Sequence, residues 1–110
     1  MVMIYEIRRY ELQQHNKKAF YERFETQLMP ILPKYGFNLV GAWDTIIGDV
    51  PETTYILAWP DLNTMQKAWA GLNSDEDWTR IKKESFEKHG TLVRKTHSQI
   101  LAPTAYSPLS

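Results

Sequence analysis

The chain has 110 residues, which is enough for one domain that buries roughly two-thirds of its unfolded surface. Its 13 basic and 13 acidic residues are scattered along the sequence, so no electrostatic field favours nucleic acid or an anionic membrane as a partner. Cysteine is absent, which excludes disulfides, thiolate nucleophiles and zinc–thiolate sites. No apolar run approaches the roughly 20 residues that span a bilayer, and no secretory signal opens the sequence, so we expect a cytoplasmic protein.

The segment Ile4–Leu12 alternates in a way that predicts a β-strand with different chemistry on its two faces. Glu6, Arg8 and Tyr10 share one face, and the residues between them form the other. Charged groups stand between aromatic and aliphatic groups on both faces, which is typical of a strand that lines a shared cavity.

A long helical pattern follows the first strand. Apolar residues at helical spacing predict a helix over residues 17–35, with Asn16 as its N-cap. Pro30 lies inside this pattern and predicts a kink or a restart near Met29, because proline lacks a backbone donor. We expect Gly36 to end the helix in the left-handed conformation.

Two segments rich in β-branched and aromatic residues predict the second and third strands, over residues 38–47 and 53–59. A loop at 48–52, which contains glycine and proline, joins them as a hairpin. Both faces of the second strand are largely apolar, so we expect both to be covered.

The C-terminal half adds two helices and a strand. Asp61 is predicted to cap the second helix, and the acidic run 74–77 predicts the start of a third, which ends at Gly90. Residues 91–101 predict the fourth strand, and 102–110 form a tail without periodicity. This order predicts an α+β, ferredoxin-like fold with a four-stranded antiparallel sheet, central first and third strands, and all helices on one face.

Assembly follows from the uncovered face of such a sheet. The strands carry too much apolar and aromatic surface to leave that face open to solvent, and large apolar patches mark interfaces. We therefore expect a two-fold homodimer.

Several motifs resemble the NIPSNAP family. They are the opening strand at 4–12, the blocks at 36–43, 55–59 and 75–78, and the end at 107–109. The resemblance covers nearly the whole chain and implies a single domain over residues 1–110. It also implies a dimeric α+β barrel, in which two ferredoxin-like sheets close around a cavity. Relatives in that superfamily include cofactor-free monooxygenases, haem-degrading oxygenases and muconolactone isomerases, but the resemblance carries no catalytic residues.

The first candidate site is the face formed by Glu6, Arg8 and Tyr10, which we expect to look into the barrel. Arg8 would hold a small anionic or phenolic ligand, Glu6 would act as base or orienter, and Tyr10 would donate a proton. The alternative is a Glu–Arg pair that neutralises itself within a dimer interface. His97 is expected near Arg8 and Glu6 as a general acid or base; its alternative is an ordinary surface or interface residue.

Trp43 and Trp59 are candidates for stacking a small aromatic ligand in the barrel, with simple core packing as the alternative. Trp69 and Trp78 lie on helical stripes and are interpreted as packing residues. No histidine pair has metal-ligand spacing, so no metal is predicted. No cofactor is predicted either, although one histidine would be enough to hold a haem as its axial ligand.

Two functions therefore remain open from the sequence. The first is an enzyme or binding protein for a small molecule held in the barrel, of the cofactor-free oxygenase or isomerase type by analogy. The second is a non-enzymatic homodimeric interaction module whose barrel is filled by its own side chains.

Overall fold

The computed structural model describes residues 3–109, and its centre is a four-stranded antiparallel sheet with helices on one face. The strands are β1 (Ile4–Leu12), β2 (Leu39–Asp44), β3 (Glu52–Trp59) and β4 (Val93–Leu101). They are ordered β2-β3-β1-β4, so the first and third strands are central, as predicted. The chain therefore has the α+β, ferredoxin-like fold.

The first helical region is interrupted, as Pro30 predicts. Its three parts are α1 (Lys17–Arg23), a π-helical turn (Phe24–Leu28) and, after a break, a 3₁₀ turn (Leu32–Tyr35). The Met29 amide donates to the Phe24 carbonyl at 2.9 Å, which is the wider hydrogen-bonding step of a π turn. The sequence located the break but missed the π turn that leads into it.

The ends of this region use glycine and a side chain from another element. Gly36 has a φ of 79° and adopts the predicted left-handed conformation, after which Phe37 packs back into the core. Asn16 precedes α1 but makes no side-chain cap with it. Its amide instead donates to the carbonyl of His89 at 2.8 Å and so ties the start of this helix to the end of another.

The two remaining helices are capped by aspartates. They are α2 (Leu62–Asn73) and α3 (Glu76–His89). Asp61 accepts a hydrogen bond from the Thr64 amide at 2.7 Å, and Asp75 accepts one from the Trp78 amide at 2.8 Å. The cap within the predicted acidic run is thus Asp75, whose other carboxylate oxygen accepts from the Tyr35 hydroxyl.

The second strand is shorter than predicted. It ends at Asp44, and the Thr45 amide donates to the Glu52 carbonyl at 3.0 Å to close the hairpin. Ile46 and Ile47 lie in the loop beyond this bond and are 93% exposed. Their β-branched side chains favour a strand locally. However, β2 is at the edge of the sheet, and its pairing with β3 ends at Asp44, so these two residues have no partner strand among the described residues.

The two faces of the sheet differ sharply, and we name them the helix-covered face and the open face. On β1 the helix-covered face carries Glu6, Arg8, Tyr10 and Leu12, and the open face carries Tyr5, Ile7, Arg9 and Glu11. The expectation that the Glu6 face looks into a space between two sheets was wrong. That face packs beneath the helices of its own chain. The indole N–H of Trp69 in α2 donates a hydrogen bond to the Glu6 carboxylate.

The hydrogen bonds of Asp75 predict a dependence of stability on pH. The Tyr35 hydroxyl and the Trp78 amide lower the pKa of the Asp75 carboxyl in the folded protein. A lowered folded pKa stabilises the fold above the unfolded pKa of about 3.9, and this contribution is lost as the pH falls through the folded value. Urea unfolding of Asp75→Asn should therefore show a flatter loss of stability below about pH 4 than the original protein.

The control for this experiment is Asp49→Asn, which removes an exposed loop carboxylate. Asparagine is itself a good N-cap, so the Asp75 substitution isolates the charge. Equal acid sensitivity of the original protein and both variants would contradict the role of Asp75.

Candidate functional site

A pocket of about 230 Å³ lies between the helix-covered face and the helices, and we call it the inner pocket. Most of its wall is aromatic or aliphatic, and its charged and phenolic groups are Arg8, Tyr10, Arg23, Tyr55 and Lys82. Drug-sized ligands occupy about 300–1,000 Å³, so this pocket suits a smaller molecule.

Arg8 is held in a fixed position on the sheet wall of the inner pocket. Its guanidinium lies 3.2 Å from the Glu6 carboxylate, donates to the Tyr10 hydroxyl at 3.0 Å, and stacks 4.5 Å from the centre of the Trp69 ring. Alternation along β1 places the side chains of Glu6, Arg8 and Tyr10 on the same face of the sheet. Arg8 therefore has a counter-ion and little freedom to move.

Glu6 is the most completely bonded carboxylate of the site. It is 3% exposed. One oxygen accepts from the indole N–H groups of Trp59 at 3.1 Å and Trp69 at 2.8 Å, and the other accepts from Arg8. A buried charge is tolerated when it is paired and hydrogen-bonded in this way. With both oxygens engaged, the geometry favours an orienting role for Glu6 over that of a base.

Tyr10 and Tyr55 form a hydroxyl pair beside Arg8, with their oxygens 2.7 Å apart. Tyr55 comes from β3, directly opposite Arg8 in the strand register. Burial raises the pKa of Tyr55 well above its usual range, so its hydroxyl stays protonated at neutral pH. The pair thus presents two hydrogen-bonded hydroxyl groups to the inner pocket.

Arg23 of α1 lines the inner pocket and is a candidate residue that the sequence did not single out. Its guanidinium lies between the rings of Phe20 and Trp78, 5.6 and 5.3 Å from their centres. Its Nε atom is buried and has no hydrogen-bond partner within residues 3–109, and burial lowers the pKa of the group. A signal was present, because Arg23 lies three residues after Phe20 and one before Phe24, at the edge of the apolar stripe.

The remaining predicted residues lie apart from this group. His97 is on the open face, where its Nε2 lies 2.7 Å from a Glu11 oxygen and lowers the pKa of that carboxyl. In the register of β1 and β4, Ser98 lies opposite Arg8 and His97 lies opposite Arg9. Alternation therefore places His97 on the opposite side of the sheet from Arg8.

The tryptophans are also distributed differently from the prediction. Trp59 is fully buried in the core, whereas Trp43 lies on the open face and is 53% exposed, so the two do not form one stacking site. Trp69 and Trp78 pack in the hydrophobic core, as predicted, and also line the inner pocket. Helical periodicity predicted that both side chains point into the protein, but it did not predict the pocket next to them.

A haem does not fit the inner pocket. No histidine, cysteine or methionine lines it among the residues that the structure describes, and its volume is below that of drug-sized sites. Within residues 3–109, no three His, Asp or Glu side chains are grouped so as to hold a metal ion. In the same range, no helix has the length and apolar character needed to cross a membrane.

The comparison with protein families confirms the resemblance read from the motifs. The model of the NIPSNAP family matches residues 5–108. The chain belongs to the NIPSNAP family. No curated protein matches the chain significantly.

Solved structures of NIPSNAP proteins share this fold. A family member from Agrobacterium tumefaciens has a TM-score of 0.86 at 24% identity, covering 98% of this chain and 99% of its own. A second one from the same organism, described as of unknown function, has a TM-score of 0.85 at 27% identity over 99% and 95%. A NIPSNAP-like domain protein from Burkholderia xenovorans has a TM-score of 0.83 at 24% identity over 96% and 89%.

The bonding of Glu6 predicts a large effect of removing its charge. Glu6→Gln leaves Arg8 mostly buried without its counter-ion, and we expect a loss of about 3 kcal/mol in the free energy of unfolding. Urea denaturation measures this loss. The control Glu22→Gln, at an exposed helix position, should change stability by less than about 0.5 kcal/mol. Equal effects of the two substitutions would contradict the structural role of Glu6.

Proposed function

We propose that this protein binds a small organic molecule in the inner pocket. The observation that carries the proposal is the combination of an apolar, aromatic wall with a few convergent polar groups in a volume of about 230 Å³. Ligand sites have this composition, whereas ordinary protein cores leave few voids larger than a water molecule. The alternative, a non-enzymatic homodimeric module with a side-chain-filled barrel, concerns the other face of the sheet and predicts no ligand in the inner pocket.

The apolar wall suits a compact body, either flat or aliphatic. Phe24, Phe37 and Trp69 supply aromatic surface from the helical layer, and Leu57 supplies aliphatic surface from the sheet. Phe37 and Trp69 pack edge to face with ring centres 4.9 Å apart, so this part of the wall is rigid. A rigid wall lowers the ordering cost of binding.

The sheet wall supplies the groups that would act on a ligand oxygen. Arg8 donates to the Tyr10 hydroxyl, and Tyr10 pairs with Tyr55, so the three groups are oriented before any ligand arrives. Neutral hydroxyls backed by a guanidinium stabilise an oxygen that gains negative charge. The reaction class that such a wall serves is isomerisation of a carbonyl or phenolic ligand, or its cofactor-free oxidation with dioxygen as the co-substrate and oxidant, with Tyr10 as proton donor and Arg8 as its support.

Filling the mouth of the inner pocket tests the proposal. Thr96 lines the pocket but is itself exposed, so Thr96→Phe narrows the space with little strain in the core. With phenol, benzamide and benzoate as probes, calorimetry should detect binding to the original protein and a loss of at least tenfold in affinity for Thr96→Phe. The matched control is Thr79→Phe on the exposed surface of α3. Undetectable binding of all probes at millimolar concentration, or equal affinities in both variants, would refute the proposal.

We also propose that the open face pairs with the open face of a second copy. Trp43 and Leu101 are 53% and 44% exposed on that face, and Ile7 and Ile56 lie between them on the central strands. Exposed apolar groups of this kind mark interfaces, and self-association is the simplest way to cover them. The inner pocket lies on the other side of the sheet, so pairing leaves it accessible.

Light scattering after size exclusion tests the pairing. The original protein should elute with twice the mass of one chain. Ile56→Asp should elute as a folded monomer, because a carboxylate buried between the two open faces would lose its hydration. Leu62→Asp is the control, since Leu62 is exposed on α2. A monomeric original protein at micromolar concentration would rule out the dimer.

A further inference from the structure

We infer that the ligand of the inner pocket is a compact organic monocarboxylate, bound through its carboxylate by Arg23. This inference rests on the proposed function and adds the chemical class of the ligand. It follows from the distribution of charge around the pocket, from the contrast between the two arginines, and from the available volume.

Two of the three cations on the pocket wall, Arg23 and Lys82, form no ion pair within residues 3–109. Arg8, Arg23 and Lys82 line the inner pocket, and no aspartate or glutamate lines it among the described residues. Lys82 Nζ lies 5.7 Å from the Trp78 ring centre, on the same ring that Arg23 contacts, and forms no ion pair within residues 3–109. A cation in a partly desolvated site is stabilised by an anion.

The two arginines of the pocket have different partners. Arg8 is neutralised by Glu6 at 3.2 Å and donates to Tyr10, so its charge is already used within the protein. The Arg23 guanidinium lies 5.6 and 5.3 Å from the ring centres of Phe20 and Trp78, and its buried Nε has no hydrogen-bond partner in the described part of the chain. Arg23 is therefore the anion-binding group, and Arg8 supports the hydroxyl pair.

Arg23 also stands at the boundary of the inner pocket. It lines both this pocket and a polar groove between α1 and α3, which contains Glu22 and Glu84. These carboxylates lie 3.9 and 3.6 Å from Lys18 and Arg80, respectively, and neither forms an ion pair with Arg23. Arg23 is therefore shared by the groove and the inner pocket, and the carboxylates of the groove do not neutralise it.

The size and shape of the site narrow the class of anion. A planar guanidinium matches a carboxylate with two parallel hydrogen bonds. The volume of about 230 Å³ lies below the roughly 300–1,000 Å³ of drug-sized sites and suits one compact apolar body. A single carboxylate on an aromatic ring or a short aliphatic chain satisfies both conditions.

Paired acids and amides test the inference. Benzoate and phenylacetate differ from benzamide and phenylacetamide in charge and hardly in shape. Calorimetry should show the acids binding the original protein on the order of tenfold to a hundredfold more tightly, which is the range for a charge-assisted contact. Arg23→Gln should abolish this preference and leave the affinity for the amides unchanged.

Two further variants complete the design. Arg80→Gln is the matched control, because Arg80 is exposed on α3 and pairs with Asp77 and Glu84 outside the pocket; it should leave both affinities unchanged. Lys82→Gln, at an exposed position that tolerates substitution, should weaken binding of the acids several-fold and that of the amides not at all. Lys82→Gln keeps the inference testable if Arg23→Gln fails to fold.

The outcomes separate this inference from the function on which it rests. Amides that bind as tightly as acids, with no effect of Arg23→Gln or Lys82→Gln, would overturn the monocarboxylate assignment and leave the pocket intact as a ligand site. Failure of acids and amides alike to bind at millimolar concentration would overturn both. Increasing salt should weaken only the acids, and an equal effect on the amides would count against Arg23.

Discussion

The buried carboxylate of Glu6 is the interaction on which the architecture of the site depends. It receives hydrogen bonds from Trp59 of β3 and Trp69 of α2, and it pairs with Arg8 on its own strand. A carboxylate this buried costs several kcal/mol unless it is paired, so the strand and the helix that supply its partners are held to it. The wall of the inner pocket follows directly, because Arg8 and Trp69 form part of that wall.

The sheet separates two kinds of surface. The helix-covered face carries charged and phenolic groups against the aromatic helices, and Arg23 adds a positive charge with no carboxylate on the described wall. The open face carries half-exposed apolar side chains such as Trp43 and, at its polar end, the contact between His97 and Glu11. Binding on one face and self-association on the other do not compete for the same residues, so the two proposals are compatible.

Much of the fold could be predicted because its signals are local. The strand at Ile4–Leu12 and the helix after Asn16 show different periods of apolar residues. Gly36 ends its helix in the left-handed conformation, and Asp61 caps the next helix, as their chemistry favours. Prediction failed where pairing decides the outcome. Ile46 and Ile47 have strand-forming side chains, but the strand ends before them because the hairpin closes at Thr45.

The sequence by itself determined the succession of strands and helices, most of the helix ends and the grouping of Glu6, Arg8 and Tyr10 on one face, since these depend on neighbours along the chain. Only the tertiary structure decided which side of the sheet that face occupies. It also separated His97 from the group and brought Arg23 to the pocket. The reason is physical: strand register and the packing of a helix on a sheet join residues far apart in sequence, and a shift of one position reverses the face on which a side chain lies.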